Sequence, residues 1–137
     1  MFTNDREAYR QFFFQTWQKH LRGLPLEPVE KQLVAVMIMH PEYHEFLAQA
    51  GVTEFEVEEN PFMHMGLHMA VQEQIDLDRP AGVRECYQTL VNKVGDVHQS
   101  LHMMMTCLGK LLWQAQQDGV QPDENIYLDM IRKLNCD

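Results

Sequence analysis

Hydrophobic residues recur with helical period along most of this chain, and the stretch that stands out is Asn60 to Asp76, NPFMHMGLHMAVQEQID. Asn60 before Pro61 predicts a defined helix start, because an Asn side chain accepts the orphan N–H groups of the first turn and proline loses nothing at the first helical position. His64 and His68 stand four apart, so their Cβ atoms are expected about 5 to 6 Å apart on one side of that helix, on a stripe with Val71 and Ile75. Phe62, Met65 and Met69 cover much of the other side. A helix apolar nearly all round predicts a buried central element, running to about Leu77.

The same period extends in both directions. Asn4 or Asp5 can cap a helix reaching about His20, with Tyr9, Phe12, Phe13, Trp17 and Leu21 as an aromatic face. Gly23 and Pro25 end it. Pro28 opens a second helix, VEKQLVAVMIM, whose later part is apolar on every side and is expected to be buried. Pro41 disfavours helical geometry at His40, so the chain should bend there and begin a short third helix ending near Gly51. VTEFEVEE, Val52 to Glu59, is too short to decide between strand and loop and reads as a connection.

Beyond the central helix DRPAG breaks the chain, and Asp78 or the residues just after it can cap the next helix with Pro80 in its first turn. From Val83 to Gln117, Leu90, Val94, Val97, Leu101, Met104, Leu108 and Leu111 form one stripe, which Gly95 and Asp96 divide or bend. Gly119 and Pro122 end that run, and Asn125 to Leu134 form a last amphipathic helix. There is no repeat and no low-complexity segment. The pattern predicts an all-α fold, a single-domain helical bundle of about five to seven helices over residues 1–137, with the central and long helices packed together.

Composition narrows the class. At 137 residues the chain suits one domain, and 45% hydrophobic with 23% charged residues is globular rather than disordered. Eleven Lys and Arg against twenty Asp and Glu give a formal charge of −9, which opposes a polyanionic partner and argues against nucleic acid. No apolar run reaches the length of a membrane span, and MFTNDREAYR lacks the basic start and apolar core of a signal peptide, so a cytoplasmic location without membrane association is expected. Cys86, Cys107 and Cys136 are odd in number and widely spaced, which predicts free thiols.

The candidate chemistry lies in the histidines. Six of the seven fall in H-x-x-x-H spacings: His40 with His44, His64 with His68, His98 with His102. This is the spacing by which one helix offers two nitrogens to one ion. On a 100° wheel His98 falls about 40° beyond Val94 and His102 about 40° further, at the edge of the long stripe. Packing the two stripes together would give a metal shared by His64, His68 and at least one of His98 and His102, with His40 and His44 adding to it or building a second site. Zinc or iron is the expected ion.

Glu73 is a candidate ligand or partner to a ligating imidazole by proximity, although it falls nearly opposite His64 on the wheel. Glu42, Glu45, Glu58 and Glu59 are alternatives. Met63, Met65, Met69, Met103 to Met105 and Cys107 invite a copper reading, but methionine is also an ordinary core filler. Pro61 and Met65 stand where ferritin-like Glu-x-x-His motifs need Glu, and Met65 stands where a zincin needs Glu, which disfavours both chemistries.

HPEYH at His40 to His44, NPFMHMGLHMAVQEQ at Asn60 to Gln74, DRPAGVR at Asp78 to Arg84 and CLGKLLWQAQ at Cys107 to Gln116 together resemble the bacterial family known as domain of unknown function 1841, DUF1841. The likeness covers most of the chain and is most specific in NPF-x-H-x-x-x-H. It implies a small helical bacterial protein without an assigned activity, and leucine often stands in the family where Met63 and Met65 stand here, which lowers the copper reading further. In architecture the arrangement is loosely similar to hemerythrin-like and DinB-like bundles that hold metals through histidines of several helices.

Two functions follow as expectations. In the first, the helices bind a transition metal through imidazoles, and an open position takes a small ligand or activates water. In the second, the histidines are core hydrogen-bond donors and the protein works by contact, its partner a second copy or another protein. No catalytic residue is assigned.

Overall fold

A computed structural model describes residues 5–48 and 60–135. Asn4 as a cap, the end of the third helix near Gly51, the connection Val52 to Glu59 with Glu58 and Glu59, and Cys136 lie outside the described residues. The described chain forms α1 (Asp5–Leu21), α2 (Pro28–Ile38), a 3₁₀ turn (Pro41–Tyr43), α3 (His44–Ala48), α4 (Pro61–Leu77), α5 (Val83–Val94), α6 (Val97–Asp118) and α7 (Glu124–Asn135), with no strand among these residues. The all-α class is as the periodicity predicts. None of these helices is long and apolar enough to cross a membrane. The chain divides into two compact units, Met1–Met69 and Ala70–Asp137, so α4 contributes its first half to one and its second half to the other.

In the first unit the core gathers around Phe62. Phe13, Phe14, Trp17, Leu33, Val36, Met37, Leu47 and Met65 are buried with it. The rings of Phe13, Phe14 and Phe46 meet that of Phe62 at 5.3 to 5.8 Å between centroids, edge-on or nearly so, a geometry that adds about 0.5 to 1.5 kcal/mol per pair beyond area burial. The α1 face differs from the expected one at three places, the first being Tyr9, which is exposed. Leu21 is exposed, because it is the last helical residue before the chain turns away at Gly23, whose φ is 68°. Phe14 is buried in its stead, against Phe46 and Phe62. Leu24 N–H donates to Lys19 O and Gly23 N–H to His20 O, at 2.9 and 3.1 Å, so the left-handed glycine closes α1 and satisfies its last carbonyls.

Pro28 begins α2, as expected, and Glu30 folds back so that its carboxylate accepts the Glu27 N–H at 2.8 Å while pairing with Lys19 Nζ at 2.8 Å. Leu33, Val34, Val36 and Met37 are buried, but Ile38 and Met39 are exposed, contrary to the expectation that the whole later part would be covered. The helix ends there, with Met39 as its C-cap.

The second unit is built on two joints. At the first, Asp78 Oδ1 accepts the Gly82 and Arg84 N–H groups at 3.2 and 3.1 Å, while the Arg84 guanidinium donates to Ile75 O and Asp76 O at 3.0 and 2.8 Å. One carboxylate thus caps the start of α5 and one guanidinium caps the end of α4. At the second, Gly95 in left-handed conformation (φ 79°) ends α5, and the Asp96 side chain accepts the Gln99 N–H at 2.8 Å to start α6. Val97 is exposed for this reason: the glycine turn breaks the helical phase, so a stripe counted through from Leu90 does not carry across it. Leu90, Leu101, Met104, Leu108 and Leu111 are buried, with Val83 and Cys86 of α5 and Tyr127, Leu128 and Ile131 of α7. Tyr127 donates its hydroxyl to Gln74 Oε1 at 2.6 Å, and burial pushes the phenol well above its ordinary range. Cys86 and Cys107 are buried free thiols, as the sequence predicts for them.

Candidate metal centre

The proline at position 41 makes the first half of the site. His40 leaves the helix, with φ −126° and ψ 71°, because Pro41 disfavours helical geometry in the residue before it. Its side chain then turns back along α2, and its Nδ1–H donates to Val36 O, one of the terminal carbonyls of that helix, at 2.8 Å. A carbonyl can only accept, so the neutral His40 ring carries its proton on Nδ1 and its lone pair on Nε2.

The cap at Asn60 makes the second half. Its Oδ1 accepts the Phe62 and Met63 N–H groups at 3.0 and 3.3 Å, which starts α4 where the sequence predicts. The fixed start sets the phase of His64 and His68, whose ring centroids are 5.1 Å apart. Both rings face His40, each at 4.7 Å between centroids. His64 Nε2 lies 3.0 Å from His40 Nε2. His40 and His68 are buried, each 2% exposed, and His64 is half-buried. One ring nitrogen from each of the three lies within 4.8 Å of the others.

The separation of His40 and His64 is compatible with a shared ion. With metal–nitrogen bonds of about 2.0 to 2.1 Å, two ligands at a tetrahedral angle stand about 3.4 Å apart and at a right angle about 2.9 Å. The 3.0 Å between His40 and His64 falls in that interval. The bond from His40 Nδ1–H to a backbone carbonyl is also the contact by which a protein fixes the tautomer and orientation of a ligating imidazole.

The remaining candidates are placed differently. In the second unit His98 and His102 stand on the first turns of α6 with their Nε2 atoms 2.7 Å apart and ring centroids 4.2 Å apart at 88°, so this i,i+4 pair does converge. His44 is not brought to the cluster. Its Nε2–H donates to Met37 O at 2.8 Å and its ring stacks on Trp17 at 4.6 Å, a core donor rather than a partner to His40. The bend at Pro41 and the 3₁₀ turn after it abolish the helical register that the spacing assumed. Glu73 is exposed, in keeping with its phase opposite His64, and Glu42 and Glu45 are exposed too. Met65 belongs to the apolar core and Met69 packs against it, while Met63 is exposed.

Two neighbours were not among the sequence candidates. Tyr43, inside HPEYH, lays its ring parallel to His40 at 5.3 Å and edge-on to His64 at 6.0 Å. Burial, and then the charge of Glu42, hold its phenol above the ordinary value. Tyr9 reaches α4 at Gly66, between the two histidines, where a Cβ would meet the tyrosine hydroxyl at 2.5 Å. The glycine of HMGLH is the one signal that could have pointed to a close approach there.

Among known protein families the chain matches the model described as Domain of unknown function (DUF1841), over residues 5–133. The chain belongs to this family. No curated protein and no solved structure matches it. The match confirms the resemblance carried by NPFMHMGLH and DRPAGVR and extends it over nearly the whole chain. Every histidine of the DUF1841 chain described above, and both joints of its second unit, lie inside the matched residues.

Proposed function

We propose that this DUF1841 protein binds a divalent transition metal, zinc or iron, through Nε2 of His40 and a ring nitrogen each of His64 and His68. The observation that carries this is the His40 ring. Its proton is committed to Val36 O, and its lone pair faces a second imidazole nitrogen at 3.0 Å. In the metal-free chain His64 must supply a proton between those two nitrogens, and a metal replaces it with a stronger bond to each. The buried free thiols of Cys86 and Cys107 fit a reducing compartment such as the cytoplasm.

The test is metal content by mass spectrometry of protein purified without a polyhistidine tag, then of His40→Ala, His64→Ala, His68→Ala and His44→Ala. Loss of metal in the first three and retention in the fourth is expected. Folded wild-type protein that retains none of Zn, Fe, Mn, Ni or Cu after reconstitution would falsify the assignment.

A further inference from the structure

The second unit holds sulfur residues that the histidine site does not use, and the structure sorts them. Of the methionines beside Cys107 in the sequence, Met104 and Met105 are core residues, buried with the apolar side chains of α5 and α7. Met103 is half-buried and lies one helical turn before Cys107, on the same side of α6. The neighbouring helix α7 packs against α6 and carries Met130, also half-buried. Met103, Cys107 and Met130 line one open cavity of about 350 Å³. Cys107 is a free thiol and is 6% exposed.

One thiol and two thioethers on a common cavity make a soft donor set, and soft sulfur ligands select Cu(I). Each methionine has three rotatable bonds, so both thioethers can turn onto an ion without a shift of backbone. Charge favours a monovalent ion as well. Lys110 and Lys133 line the same cavity and are exposed. Their ammonium groups oppose a divalent cation, whereas Cu(I) joined to one thiolate is neutral. Burial, only partly offset by the charge of Lys110, holds the free thiol above its ordinary range, which argues against a role as nucleophile.

We infer that Met103, Cys107 and Met130 form a three-coordinate site for Cu(I), built from residues other than the histidines. The ion arrives as Cu(I) and no electron is transferred. The Cys107 S–H bond breaks as the sulfur–copper bond forms, and the proton leaves to water.

The full chain, stripped of metal, is loaded with one equivalent of Cu(I) under argon with ascorbate, and bicinchoninate competes for the ion. Thiolate-to-copper charge transfer in the near ultraviolet, which imidazole ligands do not give, is the readout. Wild type should show this band and keep its copper at a bicinchoninate concentration that strips Met103→Leu and Met130→Leu, both close to wild type in volume. Cys107→Ser should lose the band, while Cys86→Ser and Met63→Leu keep it. His64→Ala, which removes a proposed ligand of the divalent ion, should leave the band unchanged. X-ray absorption at the copper edge of wild type needs no variant and should give three sulfur neighbours. A band that persists in Cys107→Ser, or copper held as tightly by both leucine variants as by wild type, overturns the site. Nitrogen neighbours at the copper edge, or a band lost in His64→Ala, assign the copper to imidazoles and overturn it too, without touching the divalent reading.

Discussion

His40 and His44 are the same residue type at i and i+4, and the structure gives them opposite tasks. His40 spends its proton on Val36 O and turns a lone pair into the cluster, whereas His44 spends its Nε2 proton on Met37 O and lies flat on Trp17. His40→Ala should therefore abolish metal binding by mass spectrometry. His44→Ala should keep the metal and lose about 1 to 2 kcal/mol in urea unfolding, the sum of a backbone hydrogen bond and a ring contact. The i,i+4 spacing in the sequence shows that two imidazoles are close along the chain. It does not show which nitrogen is already engaged, and at His44 that depends on a helix terminus three to seven residues upstream. Glu30 offers a second test at this scale. Lys19, then the Glu27 amide, hold its carboxyl below the ordinary glutamate range. A depressed carboxylate stabilises the fold above its unfolded pKa, and that contribution is lost as pH falls through the folded value. Urea unfolding against pH should show wild type more stable than Glu30→Gln at neutral pH, with the two curves converging in acid. Parallel curves at all pH values would refute the assignment.

At the scale of elements, the ends of helices decide what the sequence reveals. Asn60 and Pro61, Gly23, Gly95 with Asp96, and Gly119 each carry a local reason to start or stop a helix, and each does so in the structure. What the period does not show is where the covering neighbour stops. Leu21, Ile38, Met39 and Val97 all lie on faces that read as buried, all stand at the end of a helix or at its cap, and all are exposed. Asn60→Ala should cost about 1 kcal/mol, the usual cost of deleting an N-cap side chain. It should also weaken metal binding, since the cap fixes the phase of His64 and His68, and an isothermal titration with zinc reads this directly. A variant that unfolds more easily but binds zinc with unchanged affinity would show that the cap does not position the site. Gly95→Ala should destabilise the second unit by about 1 kcal/mol, because an alanine at φ 79° takes up a left-handed conformation that L residues disfavour.

For the whole molecule the proposed metal would act as a linkage term. A ligand that binds the folded chain and not the unfolded one stabilises it by mass action, about 2.7 kcal/mol when free metal is a hundredfold above its Kd, and for a chain of this size that raises Tm by roughly 10 °C. The three proposed ligands come from two stretches of chain separated by more than twenty residues, His40 on one and His64 and His68 on the other, so a bound ion would tie together segments that the unfolded chain holds apart. EDTA should therefore lower the calorimetric Tm of wild type by that order, and zinc added back should restore it. His40→Ala and His64→Ala should each unfold near the chelated wild-type temperature and should no longer respond to EDTA. Their combination should cost less than the two single costs added together, since either change alone already empties the site. Additive losses, with an EDTA response that persists in each single variant, would mean that the two histidines stabilise the fold independently and share no ion.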